Sequence, residues 1–289
     1  TDAVWSDFDN DGWTDLLVAR EWNSILVLKN SNGNDFAPAK VSDLENYHGI
    51  WYSIIAGDFD NDGDDDYIAG NLGENHRFNV SSKYPLSVYH VDFDLNGSID
   101  PVVTAYWKDP KNRMKEYPVN YFDELRAQLP MLDKQFDSYA AFSFATFEDM
   151  FGKEAVRRKD NKLFANTTSS YVVWNERGRF RLDRLPDPVQ VSPARKMIVR
   201  DLNDDLYPDV IVSGNDHKYD ISTGYYDANK GLVMISRGGE QKFDILPPFR
   251  SGFLLNGMVE SLLLFEGDTT IIVAGINRNK ASSFQLTKP

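Results

Sequence analysis

Side-chain oxygens recur at positions 1, 3, 5 and 9 of four short segments of this chain. They are Asp7, Asp9, Asp11 and Asp15; Asp58, Asp60, Asp62 and Asp66; Asp92, Asp94, Asn96 and Asp100; and Asp201, Asn203, Asp205 and Asp209. Oxygens at this spacing can wrap a short loop around a hard cation of calcium size, which takes six to eight oxygen ligands in flexible geometry. Position 6 is Gly12, Gly63 and Gly97, the residue suited to the sharp turn that returns the later ligands over the ion. Leu206 stands there in the fourth segment, and Asn203 replaces a carboxylate, so that loop is expected to hold its ion most weakly. Three to four bound Ca²⁺ are expected.

An EF-hand shares the first half of this pattern but requires a bidentate Glu at position 12 and flanking helices. Position 12 here is Val18, Ala69, Val103 and Val212. Acidic repeats of the thrombospondin kind need cysteines and closer spacing, and this chain has no cysteine.

The elements that must position these loops are legible on either side of them. Ala3 to Trp5, Ile54 to Ala56, Leu86 to Tyr89 and Met197 to Val199 precede the four loops, and Leu16 to Ala19, Tyr67 to Gly70, Pro101 to Thr104 and Val210 to Ser213 follow them. Short runs rich in Val and Ile, bounded by Gly, Asp and Asn, predict buried β-strands. The repeating unit is strand, loop, strand. The loops start 51, 34 and 109 residues apart, and the first two intervals suit one small antiparallel sheet per repeat, as in a propeller blade. Within the long third interval, Phe122, Leu125, Leu129, Leu132 and Phe136 recur at helical spacing, followed by Phe142, Phe144, Phe147 and Phe151. Asp123 and Glu124 early, with Arg157, Arg158 and Lys159 late, fit the charge preferences of helix ends. The expected organisation is an all-β propeller of about five blade units over 1–112 and 171–289, with a helical insertion at 113–170 inside the third blade. Strand pattern resumes at Tyr171 to Trp174 and returns through Phe180 to Leu182; a last unit, Met258 to Phe265 and Thr270 to Ala274, closes the chain without a metal loop.

The 289 residues are 42% hydrophobic, ample for a buried core, and contain no apolar run long enough to span a membrane. Thiol catalysis, thiolate metal sites and disulfides are excluded by the missing cysteines. The net charge of −13 argues against a nucleic-acid partner. Fourteen carboxylates sit at ligand positions, and four divalent ions would bring the net charge to about −5, so the acidity reads as metal capacity. Thr1 immediately precedes a strand-like segment, and the chain is expected to be mature or excised from something longer.

The segment from Ala56 to Ala69, with Gly57, Asp58, Phe59, Asp60, Asn61, Asp62, Gly63 and Asp66, resembles the FG-GAP (or VCBS) repeat of integrin-type β-propellers. The order of further pieces, Gly70 to Asn75, Glu116 to Pro118, Leu129-Pro130 and Gly214-Asn215, resembles the C-terminal region of long bacterial FG-GAP proteins of the ASPIC/UnbV group. The resemblance implies a propeller whose loops join neighbouring strands of a blade and bind calcium, and it implies that the five units here are part of a larger propeller. Carried onto this chain, the ligands would be the side chains named above, completed by the backbone carbonyls of Trp13, Asp64, Ser98 and Tyr207. It also implies a bacterial envelope or extracellular setting: periplasmic, secreted, or at the cell surface in association with the outer membrane.

No catalytic constellation stands out. His48, His76, His90 and His217 show neither metal-site nor nucleophile spacing, and the obvious carboxylates are committed to metal. Candidate binding residues are Trp13, inside the first loop, and Tyr219, Tyr225 and Tyr226, beside Asp216, His217 and Lys218. The expected function is a calcium-stabilised module that binds a protein or glycan, or assembles into a larger envelope complex. The alternative is a calcium-dependent polysaccharide lyase or glycoside hydrolase on a propeller scaffold.

Overall fold

The computed structural model describes residues 1–157, 161–218, 224–238 and 243–287. Among these, the strands form four four-stranded antiparallel sheets, one three-stranded sheet and one two-stranded ribbon. The fold is of the all-β, β-propeller class. The first sheet runs Asp2–Ser6, Asp15–Ala19, Leu26–Ser31 and Asp35–Pro38 in chain order. The fourth runs Ala194–Arg200, Asp209–Gly214, Leu232–Ile235 and Asp244–Leu246. The fifth has Val259–Phe265, Ile271–Ile276 and Ser282–Gln285. Each acidic loop closes the hairpin between the first two strands of its sheet, with Trp5 opposite Leu16, Ala56 opposite Tyr67, His90 opposite Pro101 and Val199 opposite Val210. Asp66–Gly70 and Asp209–Gly214 are buried at every residue, because a central strand flanked by other sheets has no solvent face.

The chain divides into two compact units, Thr1–His76 with Thr168–Pro289, and Arg77–Thr167. In the first unit the sheets stack through continuous apolar seams. Leu17 and Val27 of the first sheet share a cluster with Ile54, Tyr67 and Val173 of the second. Ile68, Val172 and Trp174 share another with Val210, Val212 and Met234 of the fourth. Ile198, Ile211 and Val233 share a third with Val259 and Ile272 of the fifth.

The second unit holds the third sheet, Leu86–Val91, Asp100–Lys108, Met114–Pro118 and Lys162–Ala165, together with the helices Phe122–Gln128, Leu132–Gln135, Tyr139–Phe144 and Phe147–Arg157. Phe122, Leu125, Leu129, Leu132 and Phe147 bury against Tyr89 and Val102 of that sheet. Phe147 stacks on Tyr89 at 4.1 Å and Phe151 on Phe93 at 4.0 Å between ring centroids. The helical apolar face thus covers its own sheet, while Phe144 points outward. The Glu124 carboxylate accepts the Tyr121 N–H at 3.2 Å, in the role expected of an acidic first turn. Arg158 and Lys159 lie outside the described residues.

The domain boundaries differ from the expectation of an insertion at 113–170 within the third blade. Residues 114–118 belong to the third sheet, and its fourth strand, Lys162–Ala165, lies beyond the helices. The strands Tyr171–Glu176 and Arg179–Arg184 complete the second sheet, with Tyr171 opposite Ala69. The whole of Arg77–Thr167 is therefore inserted between the second and third strands of the second blade. Asn71 and Ser170 close the gap: Ser170 Oγ accepts the Asn71 N–H at 2.9 Å, and Thr168 O accepts the Gly73 N–H at 2.8 Å. Local patterning shows a strand but not its partner, so the sequence placed these two strands in the wrong blade.

Candidate metal centres

All four loops share one backbone solution. Position 4 adopts a left-handed conformation in each, at Asn10 (φ 55), Asn61 (φ 62), Leu95 (φ 59) and Asp204 (φ 59), and so does position 6, at Gly12, Gly63, Gly97 and Leu206. The two reversals point backbone N–H groups inward. The position 1 carboxylate accepts from positions 5 and 6: Asp7 from Asp11 at 3.0 Å and Gly12 at 2.8 Å, and Asp58 from Asp62 and Gly63 at 3.1 Å each. Asp92 and Asp201 repeat the pattern. The side chain at position 5 accepts the N–H of position 7, at 2.8 to 2.9 Å in all four loops.

Position 9 does a second job. Asp15, Asp66 and Asp209 are buried, and each ties its loop and the second strand to the third strand of its sheet or to the residue just past it. One oxygen accepts an N–H inside the loop, from Phe8, Phe59 and Leu202, and the other accepts an N–H of the third strand, Asn30 at 2.7 Å and Asn175 at 2.8 Å, or of the residue just past it, Ser236 at 2.8 Å. Asp100 has the first bond, from Phe93 at 2.9 Å. Burial pushes the Asp66 carboxyl up to about 7 and that of Asp209 up to about 6, against the downward pull of their hydrogen bonds. Burial, then the neighbouring Asp62, raises Asp60 likewise.

Three groups of carboxylates converge closely enough to share an ion: Asp7, Asp9 and Asp15; Asp58, Asp60 and Asp62; and Asp92, Asp94 and Asp100, with oxygens within 4.8 Å of one another. Their all-oxygen donor sets suit a hard cation. Asp9 Oδ1 is buried without a hydrogen-bond partner, which is the state of an oxygen awaiting an ion. The expected ligands Asp11 and Asp66 lie outside these groups of three. Asp11 is drawn to Lys29, whose ammonium bonds Asp9 Oδ2 and lies 2.9 Å from Asp11 Oδ2. That hydrogen bond holds the Asp11 carboxyl below its usual range. In the fourth loop Asp201, Asp205 and Asp209 form no such group, and Asn203 Nδ2 donates to Asp205 Oδ2 at 2.9 Å.

At position 7, Trp13 lays its ring over Gly33, and Tyr207 over Gly238, so tightly that a Cβ on either glycine would meet ring carbons at 2.7 Å and 2.3 Å. Asp64 takes the corresponding place with its carboxylate, accepting the Arg177 N–H at 3.0 Å. The side chains of Trp13, Asp64 and Tyr207 thus brace the outer hairpins of their own sheets, and Ser98 is exposed. Trp13 remains 41% exposed. The loops of the first unit are also linked in series: Asn10 Nδ2 bonds Asp64 Oδ1, and Asn61 Nδ2 donates to Leu206 O at 3.3 Å.

Residues that sequence reading passed over include Lys29 and the turn pair Asn30 and Asn175. The side chains of Asn30 and Asn175 accept the N–H of Gly33 at 2.9 Å and Gly178 at 2.8 Å. The signal available was the repeated spacing Asn-x-x-Gly.

The polar segment after Gly214 enters the wall of a cavity of about 490 Å³, lined by Trp22, Tyr52, Arg195, Lys196, Asp216 and Lys218 among others. Asp216 bonds Arg195, whose guanidinium lies 4.9 Å from the centre of the Tyr52 ring. Tyr225 is exposed and packs on His217; Tyr219 lies outside the described residues. His76 Nε2 and Thr168 Oγ1 are 2.9 Å apart. In the second unit a cleft of about 670 Å³ gathers Trp107, Tyr117, Tyr121, Tyr139 and Phe144. Among the described residues, no helix is long and apolar enough to cross a membrane.

Blade-like sheets whose first hairpins carry acidic loops are the arrangement of a β-propeller protein. Residues 7–69, holding the first two loops, match the family model described as FG-GAP-like repeat. A stretch of 78 residues, 27% of this chain, is 32% identical to a T-cell immunomodulatory protein of Rattus norvegicus and covers 13% of that protein.

Proposed function

We propose that this protein is a calcium-stabilised binding or assembly module that works outside the cytoplasm, at a bacterial envelope, by presenting a rigid surface to a protein or glycan partner. The observation that carries this reading is the recurrence of a carboxylate trio at the same point of successive hairpins. Residues Asp7, Asp9, Asp11 and Asp15, with their counterparts in the other loops and the carbonyls at position 7, would hold the ions. Bound Ca²⁺ would neutralise each loop and stiffen the hairpin it closes. Sites of the extracellular type have affinities on the order of 10⁻⁴–10⁻³ M and fill only where calcium is millimolar, which supports a location outside the cytoplasm. The cavity beside Arg195 and Asp216 and the aromatic cleft around Trp107 are the surfaces offered to a partner.

The test is a calcium titration of chelator-stripped protein followed by capture of partners from native envelope extract with and without calcium. Saturable calcium binding and a calcium-dependent partner are expected. A chain that binds no calcium at millimolar concentration, or that turns acidic oligosaccharides into unsaturated products, would overturn the reading.

A further inference from the structure

Lys29 gives the first loop an ammonium bonded to two of its ligand carboxylates. It lies in the third strand of the first sheet, one residue before Asn30, whose N–H is accepted by Asp15. Asn175 and Ser236 make the same bond to Asp66 and Asp209, so the residues equivalent to Lys29 are Trp174 and Ile235. Neither carries charge. The ammonium of Lys29 bridges Asp9 Oδ2 and Asp11 Oδ2. One difference is compositional: the first trio, with Asp11 held by Lys29, is Asp7, Asp9 and Asp15, the second is Asp58, Asp60 and Asp62, with position 5 included, and the third, with Asn96 at position 5, is Asp92, Asp94 and Asp100. The other is directional. Because Lys29 occupies Oδ2 of Asp9, the unpartnered and buried oxygen of that residue is Oδ1.

Four carboxylates within nine residues repel one another, and a hairpin that brings them together needs positive charge nearby. Among the described residues no lysine or arginine ion pair is made with Asp58, Asp60 or Asp62 of the second loop, whereas in the first a covalently attached cation already supplies part of that charge. The same ammonium, a few ångströms from any divalent ion in that loop, repels the ion.

We propose that Lys29 is a built-in counter-ion for the first acidic loop, which keeps the first hairpin folded without metal and makes that loop a weaker divalent-cation site than the second. The inference rests on the reading of the loops as calcium sites. It divides the protein into a hairpin that is formed at any calcium concentration and hairpins that depend on calcium.

The test compares wild type with Lys29→Met and Lys29→Arg, each stripped with chelator, by calorimetric calcium titration and by thermal unfolding with and without calcium. In Lys29→Met one class of sites, that of the first loop, should tighten about tenfold, the effect of removing one charge beside a divalent ion in a water-exposed setting. The chelated form should melt lower, and the calcium-saturated form should stay near wild type. Lys29→Arg keeps the charge and should follow wild type in both measurements. If Lys29→Met fails to fold under chelation but folds with calcium, the proposal is supported. An unchanged isotherm, or weaker calcium binding in Lys29→Met, would overturn it. If Lys29→Met folds in neither condition, the milder Lys29→Gln decides by the same titration. Wild type that binds no calcium would instead sink the underlying reading, so the two failures are distinguishable.

Discussion

Asp66 Oδ1 accepts the backbone N–H of Asn175 at 2.8 Å, joining two residues 109 positions apart in the chain. Asp66 ends the second acidic loop, and Asn175 lies on the first strand after the inserted unit, so one bond couples that loop to the closure of its blade. The Asn175 side chain extends the junction by donating to Phe8 O at 2.9 Å and Asp65 O at 3.1 Å and by accepting from Gly178.

Asn175→Ala removes those three side-chain bonds at a site only 3% exposed. Each is worth about 1 kcal/mol, so a loss of about 2–4 kcal/mol is expected, measured as the shift of the urea unfolding midpoint at constant m-value. A loss below about 0.5 kcal/mol would show that the junction bears little of the fold's stability.

Removal of calcium should destabilise the protein without unfolding it outright. At 1 mM calcium and affinities of 10⁻⁴–10⁻³ M, each site contributes about 0.4–1.4 kcal/mol. Three sites translate into a fall in Tm of several degrees on chelation, by scanning calorimetry. Mg²⁺ should restore little of it, since near-octahedral Mg²⁺ fits roomy oxygen loops poorly.

The loops should not be equal. Asp62 belongs to a carboxylate trio, whereas Asp205 is engaged by Asn203 Nδ2 in a loop with no trio. In calcium, Asp62→Ala is expected to cost about 1 kcal/mol more than Asp205→Ala in unfolding free energy. Equal losses in calorimetry would contradict the ranking.

Leu206 holds φ 74 at the turn position that is glycine in the other loops, and its side chain is 78% exposed. The left-handed conformation costs a residue with Cβ about 1–2 kcal/mol, partly offset by the greater chain entropy of glycine. Leu206→Gly should therefore stabilise by about 0.5–1 kcal/mol, visible as a Tm gain of about 1–4 °C. A lower Tm would mean that the leucine makes a compensating contact.

Phe147 is fully buried and stacks on Tyr89 in the core of the second unit. Phe147→Ala should cost about 3–5 kcal/mol. Hydrogen exchange should place the lost protection within residues 77–167, with Asp66–Gly70 and Asp209–Gly214 keeping theirs. Uniform loss over the whole chain would show that the two units unfold together.

By itself, the sequence determined the acidic loops, the strands on both sides of them and the helical apolar face, because ligand spacing, turn glycines and side-chain periodicity are properties of residues within a dozen positions of each other. Only the tertiary structure decided which strands share a sheet, that position 9 ties its loop to the third strand, and that Lys29 stands at the first loop. Asp66 with Asn175, Asp9 with Lys29 and Asn71 with Ser170 meet through hydrogen bonds and ion pairs between separate elements. Such bonds are satisfied by whichever group the folded chain brings near, and neither residue type nor spacing announces which one that will be.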